Sequence, residues 1–170
     1  MEFYSAKELR FTGYYKWWAQ ENEVKDILAK LSNTVTFAEI KEHLEKKSIR
    51  GKDYYCIYVG IANPKPVLAR VVGQHISGNT NQSTFRKTLT SLFGAKENVD
   101  RFIDKLIFGF EKSIIEKKDL ETVEATLINS EVHILNLYKN NYGSVTDKCV
   151  RDKLLKLSKQ LSNLRSKLTQ

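Results

Sequence analysis

Cysteine is almost missing from this 170-residue chain, which has only Cys56 and Cys149. Two cysteines build no disulfide framework, and no Cys/His spacing of the structural-zinc kind is present. Cys56 stands in the middle of an apolar stretch and reads as a small buried thiol. Long apolar runs are lacking too, and none approaches the roughly 18 residues of a membrane span. Met1-Glu2-Phe3-Tyr4 lacks the basic-then-apolar profile of a signal peptide, so a cytoplasmic location is expected. With no low-complexity tract and no internal repeat, one domain with a real core is expected. Acids are the scarcer charge: 20 Asp and Glu face 28 Lys and Arg, leaving +8 and a pI near 9.4. That sign favours a polyanionic partner. The excess is uneven, since residues 141–170 hold seven bases and two acids.

What the chain does have is strand-forming sequence. Phe11–Trp18 and Tyr54–Ile61 are runs of aromatic and β-branched residues, so both predict strands. Each carries tyrosine beside glycine, as Gly13-Tyr14-Tyr15 and as Tyr58-Val59-Gly60. Between them Val24, Ile27, Leu28 and Leu31, then Phe37, Ile40 and Leu44, recur at helical spacing. Thr36-Phe37-Ala38-Glu39 has the form of a capping box. The pattern predicts a helical pair inserted between the two strands, over about residues 19–50. Arg50-Gly51-Lys52-Asp53 turns the chain into the second strand, and Asn63-Pro64-Lys65-Pro66, with both prolines, ends it.

Further helices are predicted over Val67–Ile76, over Thr84–Phe93 behind the cap Ser83, over Asn98–Leu106, and from Asp119 to about Glu131. Ile107–Glu111 predicts a third strand. Val150, Leu154, Leu157, Leu161, Leu164 and Leu168 form a heptad seam on a long basic helix, expected to pack on the domain. The expected fold is α/β: a small, mainly antiparallel three-stranded sheet flanked by helices, with a helical insertion and a long C-terminal helix. Its expected division is a domain over residues 1–137 and a basic helix over 138–170.

Taken in order, Gly13-Tyr14-Tyr15, Tyr58-Val59-Gly60, Arg70, His75 and Glu124-Ala125-Thr126-Leu127-Ile128 closing on Leu135-Asn136 resemble the motifs of the GIY-YIG nuclease superfamily. Ser83-Thr84-Phe85-Arg86-Lys87-Thr88-Leu89 is similar to a segment of small bacterial members. The 12-residue interval from Glu124 to Asn136 is the most specific feature. Two departures stand out. Tyr14 replaces the usual isoleucine, and 43 residues separate Tyr15 from Tyr58, a gap that the helical insertion fills.

The resemblance implies a DNA endonuclease with catalytic residues Tyr58, Tyr15, Arg70, His75, Glu124 and Asn136. It implies Glu124 as the ligand of Mg²⁺ or Mn²⁺. Arg86, Lys87 and Lys139 are, by charge and placement, candidate non-specific contacts to DNA phosphates. A homodimer and the biological role (restriction, repair or mobile element) stay open. So does a non-catalytic DNA-binding or partner-binding protein that keeps the fold.

The chemistry of each residue type agrees with such roles. A phenol ionises only near pH 10, so Tyr58 needs help to act as a base, and either Arg70 or a metal-bound water accepting the proton load is expected to supply it. A guanidinium in the apolar run Val67-Leu68-Ala69-Arg70-Val71-Val72 suits a phosphate clamp. His75 either orients Tyr58, protonates the leaving oxygen or merely faces a helix dipole. One carboxylate, with waters and phosphate completing the shell, is a common way to hold Mg²⁺. Asn136 is expected to fix local geometry by hydrogen bonds.

Overall fold

The computed structural model describes residues 13–31, 35–62, 67–76, 83–112, 119–137, 140 and 142–168. Its centre is a curled antiparallel sheet of four strands in the order β2-β3-β1-β4. These are β1 (Gly13–Ala19), β2 (Lys46–Ile49), β3 (Lys52–Ala62) and β4 (Ile107–Lys112). The expectation of three strands is corrected to four. The extra strand, β2, lies in the insertion, next to the helical pair α1 (Glu21–Ala29) and α2 (Phe37–Ile40). Arg50 and Gly51, with φ of 51° and 75°, join β2 to β3. Two consecutive positive φ values match the right-handed twist of a tight hairpin.

The insertion helices form for the reasons their spacing gives. Val24, Ile27 and Leu28 make the buried stripe of α1, and the Thr36–Glu39 capping box starts α2. After β3, a single helical turn, α3 (Val67–Arg70), widens into a π-helical stretch over Val71–Ile76. The helices α4 (Thr84–Phe93), α5 (Lys96–Ile103) and α6 (Leu120–Ser130) complete the flanks.

The seam of the last helix, α7 (Lys148–Lys167), is used inside the chain. Val150, Leu154, Leu157 and Leu161 belong to the main core with Tyr15, Trp17 and Phe85. A Lys153–Glu39 ion pair links α7 to the insertion. The seam frays outward, leaving Leu168 half exposed. No helix among the described residues is long and apolar enough to cross a membrane.

Candidate active site

Side chains alternate along β3 until the strand is interrupted. Trp17 of β1 faces Tyr58, but Trp18 faces Cys56, so Ile57 is the extra residue of a β-bulge. Without it, Ile57 and Tyr58 would point to opposite faces. With it, both join the main core face, where Tyr58 meets Tyr15. Tyr15 pairs with Gly60, and that glycine has a physical reason. A Cβ there would lie 2.5 Å from the Tyr15 ring, so only glycine lets the phenol lie across the strand. The two phenols face each other with ring centroids 6.4 Å apart.

A hydrogen-bond chain runs behind them. Tyr15 Oη is 2.7 Å from His75 Nε2, and His75 Nδ1 is 2.5 Å from Ser83 Oγ. Ser83 Oγ also accepts the Arg86 backbone N–H at 3.0 Å, which caps α4. The assignment that lets Tyr15 donate to Tyr58 has Nε2–H donating to Tyr15 and the Ser83 hydroxyl donating to Nδ1. Tyr15 then donates to Tyr58, the direction that favours Tyr58 as the ionising partner. Burial, aided by the Arg70 and Arg86 charges, pulls the His75 pKa down to about 3, so the ring is neutral. His75 thus orients Tyr15 by hydrogen bond and meets the Tyr58 ring edge-on, with centroids 6.4 Å apart.

The charges around Tyr58 do not balance as expected from sequence. Burial raises its pKa above the ordinary phenol value, and Glu124 adds to the rise. Arg70 and Arg165 oppose, and burial outweighs both. Tyr15 is raised as well, chiefly by burial and then by Tyr58. Both phenols are therefore neutral at physiological pH. Arg165 comes from the far end of α7, so the basic helix contributes charge to the site.

Tyr15, Tyr58, Arg70, His75, Glu124 and Asn136 all line one cavity of about 310 Å³. Arg70 is steered by Gln74, whose Oε1 accepts from Nη1 at 2.8 Å. Its buried Nε has no hydrogen-bond partner among the described residues. Glu124 stands half-buried on α6, and Glu121 lines the same cavity one helical turn earlier. Two carboxylates on one helix face are hard oxygen donors of the kind Mg²⁺ and Mn²⁺ take. Asn136 is 6% exposed and holds the other edge of β3. Its Oδ1 accepts Val59 N–H at 2.9 Å and its Nδ2 donates to Val59 O at 2.8 Å. The side-chain amide thus stands in for a neighbouring strand beside Tyr58.

The three residues expected on DNA fare differently. Arg86 is 1% exposed, its guanidinium bound to Asp100 and to the carbonyl oxygens of His75 and Ile76. This corrects its reading as a phosphate contact, because a backbone phosphate cannot reach it and its donors are engaged in holding the turn after His75. Lys87, beside it on α4, is half-buried, and Lys139 lies outside the described residues. Sequence reading missed Ser83 and Gln74 as supports, and Thr84 and Glu121 as cavity-lining residues. Ser83 and Thr84 lie in the Ser83–Leu89 segment that resembles small family members, and the signal for Glu121 was its three-residue spacing from Glu124. A second group, Glu45, Cys56 and His133, gathers metal-ligating atoms elsewhere.

A family model described as GIY-YIG catalytic domain matches residues 13–166, from the first described residue nearly to the end of α7. No curated protein and no solved structure matches the chain.

Proposed function

The chain belongs to the GIY-YIG family of catalytic domains, a nuclease family, and on that premise we propose that it is a divalent-metal-dependent DNA endonuclease. The observation that carries the reading is the meeting of two phenols, one guanidinium, one imidazole and one helical carboxylate around a single cavity. Arg70 binds the scissile phosphate, with an Nε donor lacking any partner among the described residues. Tyr58, neutral at rest, first gives its own proton to solvent and then, as phenolate, takes the proton of the attacking water. The hydrogen bond from Tyr15, which His75 and Ser83 hold in place, favours that ionised form. Glu124 would hold Mg²⁺ or Mn²⁺, whose charge would offset the carboxylate that now opposes Tyr58 ionisation, polarise the phosphate and stabilise the leaving 3′ oxygen. Asn136 fixes the strand that carries Tyr58.

The test is cleavage of supercoiled plasmid by the wild type and by Glu124→Ala with Mg²⁺, with Mn²⁺ and with chelator. Metal-dependent nicking that the variant lacks supports the proposal. Equal cleavage by both, after controls for contaminating nuclease, sinks it. DNA binding without cleavage would make the protein a non-catalytic member. A discrete fragment ladder would favour a restriction-type role over non-specific nicking.

A further inference from the structure

Glu45, Cys56 and His133 bring a carboxylate oxygen, a thiol sulfur and an imidazole nitrogen within 4.8 Å of one another. They come from the residue before β2, the middle of β3 and the segment after α6. Cys56 and His133 are both 0% exposed. His133 is the informative member, because neither ring nitrogen has a hydrogen-bond partner among the described residues. The Ile128 and Glu131 carbonyl oxygens are near, but neither meets hydrogen-bond geometry. Proteins rarely leave a fully buried imidazole without a partner.

We propose that Glu45, Cys56 and His133, with Glu131 as fourth donor, form a binding site for a zinc-class divalent cation on the sheet face opposite Tyr58. The donor set is one sulfur, one nitrogen and two oxygens, which suits zinc and not magnesium. Tetrahedral zinc, with bonds of about 2.0–2.3 Å, places its ligand atoms roughly 3.3–3.8 Å apart. A spread of 4.8 Å closes to that by small side-chain rotations. Glu131 lies outside that 4.8 Å group, but its Oε2 is 3.8 Å from His133 Nε2, so a rotation of its side chain brings it in. Glu131 and Glu45 also share a hydrogen bond, so two carboxyl groups face one point, an arrangement that a cation relieves.

Lys16 now pairs with Glu45 and competes for it. The same Nζ already stands 5.8 Å from the Trp18 ring centroid, a cation–π contact that remains when Glu45 turns to the ion. The Glu45 and Glu131 side chains are 29% and 35% exposed, which opens a way in from solvent. Binding releases the Cys56 thiol proton to water and changes no oxidation state. The bound ion would tie the insertion, β3 and the 131–136 segment together. Cys56 is two residues from Tyr58, and Asn136 of that segment grips Val59. The ion is therefore a structural clip for the catalytic strand.

The decisive protein is the full-length Cys149→Ser chain, stripped of metal. Cys149 is exposed, so its loss leaves the core intact, and the only thiol remaining is Cys56. Titrated with Co²⁺, it should bind one equivalent with a thiolate-to-cobalt charge-transfer band in the near ultraviolet. Zn²⁺ should abolish that band and raise the Tm by about 5–10 °C at a hundredfold excess over Kd. Adding Glu124→Gln should leave the band in place, and adding His133→Asn should abolish it. No thiolate band, or no Tm rise with Zn²⁺, would overturn the proposal. A band that Glu124→Gln removes, or that a folded His133→Asn protein keeps, would overturn it too. Should His133→Asn fail to fold, the cobalt spectrum of Cys149→Ser alone decides.

Discussion

His75 and His133 lie on opposite faces of one sheet, both buried and both neutral, yet their surroundings differ in kind. Burial is the main cause in each case, holding the pKa near 3 for His75 and near 4 for His133. His75 has a hydroxyl on each ring nitrogen, and its network ends on the tyrosine pair at an open cavity. Among the described residues His133 has neither nitrogen satisfied, and it sits among a thiol and two carboxyl groups. A satisfied imidazole positions its neighbours, whereas an unsatisfied one beside anionic donors has the properties of a ligand. On the readings proposed above, the two faces divide the labour: chemistry on the Tyr58 side and anchoring on the Cys56 side.

That division fails most visibly if the front face can be altered without loss of cleavage. Glu124→Gln is expected to lower plasmid cleavage by more than about 10³-fold, since it removes the metal-holding carboxylate and keeps its shape. Arg70→Ala should cost about 10²–10³-fold, as the loss of one charge-stabilising donor does. Per folded molecule, His133→Asn should cost far less than either. A larger loss at His133 than at Glu124 would break the comparison.

The two tyrosines come next in size. Tyr58→Phe should cost about 10²-fold or more, the range of a lost general base. Tyr15→Phe should cost about tenfold, because it acts through Tyr58. Its signature is the pH–rate profile: without the Tyr15 hydrogen bond the Tyr58 pKa rises, so the ascending limb moves to higher pH. Equal losses with unshifted profiles would show that Tyr15 and Tyr58 do not act in series.

Periodicity and caps made most of this fold legible. The strands β1, β3 and β4 announced themselves by aromatic runs, and α4 by Ser83, which does cap it. β2 did not, because Lys46–Ile49 has a single apolar residue and lies mostly exposed at the sheet edge. Its one signal was Arg50-Gly51. The bulge at Ile57 was hidden too, since every residue from Tyr54 to Val59 is apolar or aromatic and alternation has nothing to mark. Arg86 and Lys87 are adjacent bases with no sequence cue to which turns inward. The Asp100 that receives Arg86 is fourteen residues on. The Cys56–His133 cluster has no local spacing at all, so only the folded chain brings it together.

Gly60→Ala probes the front face by packing alone. The new methyl group would meet the Tyr15 ring at 2.5 Å, so the phenol must leave its place between His75 and Tyr58. Overpacking of this kind costs up to about 3 kcal/mol. Urea denaturation should show that loss, and cleavage should fall at least as far as in Tyr15→Phe. Full stability and full activity in Gly60→Ala would mean that the ring does not lie across the strand.

The smallest expected effect is the pH dependence that His75 imposes. Its folded pKa of about 3 lies below the 6.5 of an exposed histidine. Below pH 6.5 the unfolded chain therefore binds a proton that the folded chain refuses. Stability from this group is complete above pH 6.5 and is lost as pH falls toward 3. At 1.36 kcal/mol per pH unit, the loss between pH 6.5 and pH 5 is about 2 kcal/mol. His75→Gln removes the titration but keeps a polar side chain beside Tyr15 and Ser83. The wild type should exceed the variant in unfolding free energy at pH 7.5, and that margin should shrink by about 2 kcal/mol at pH 5. A margin independent of pH would mean that His75 takes up its proton without breaking its hydroxyl partners, and the front-face network would then not be the closed chain that sets it apart from His133.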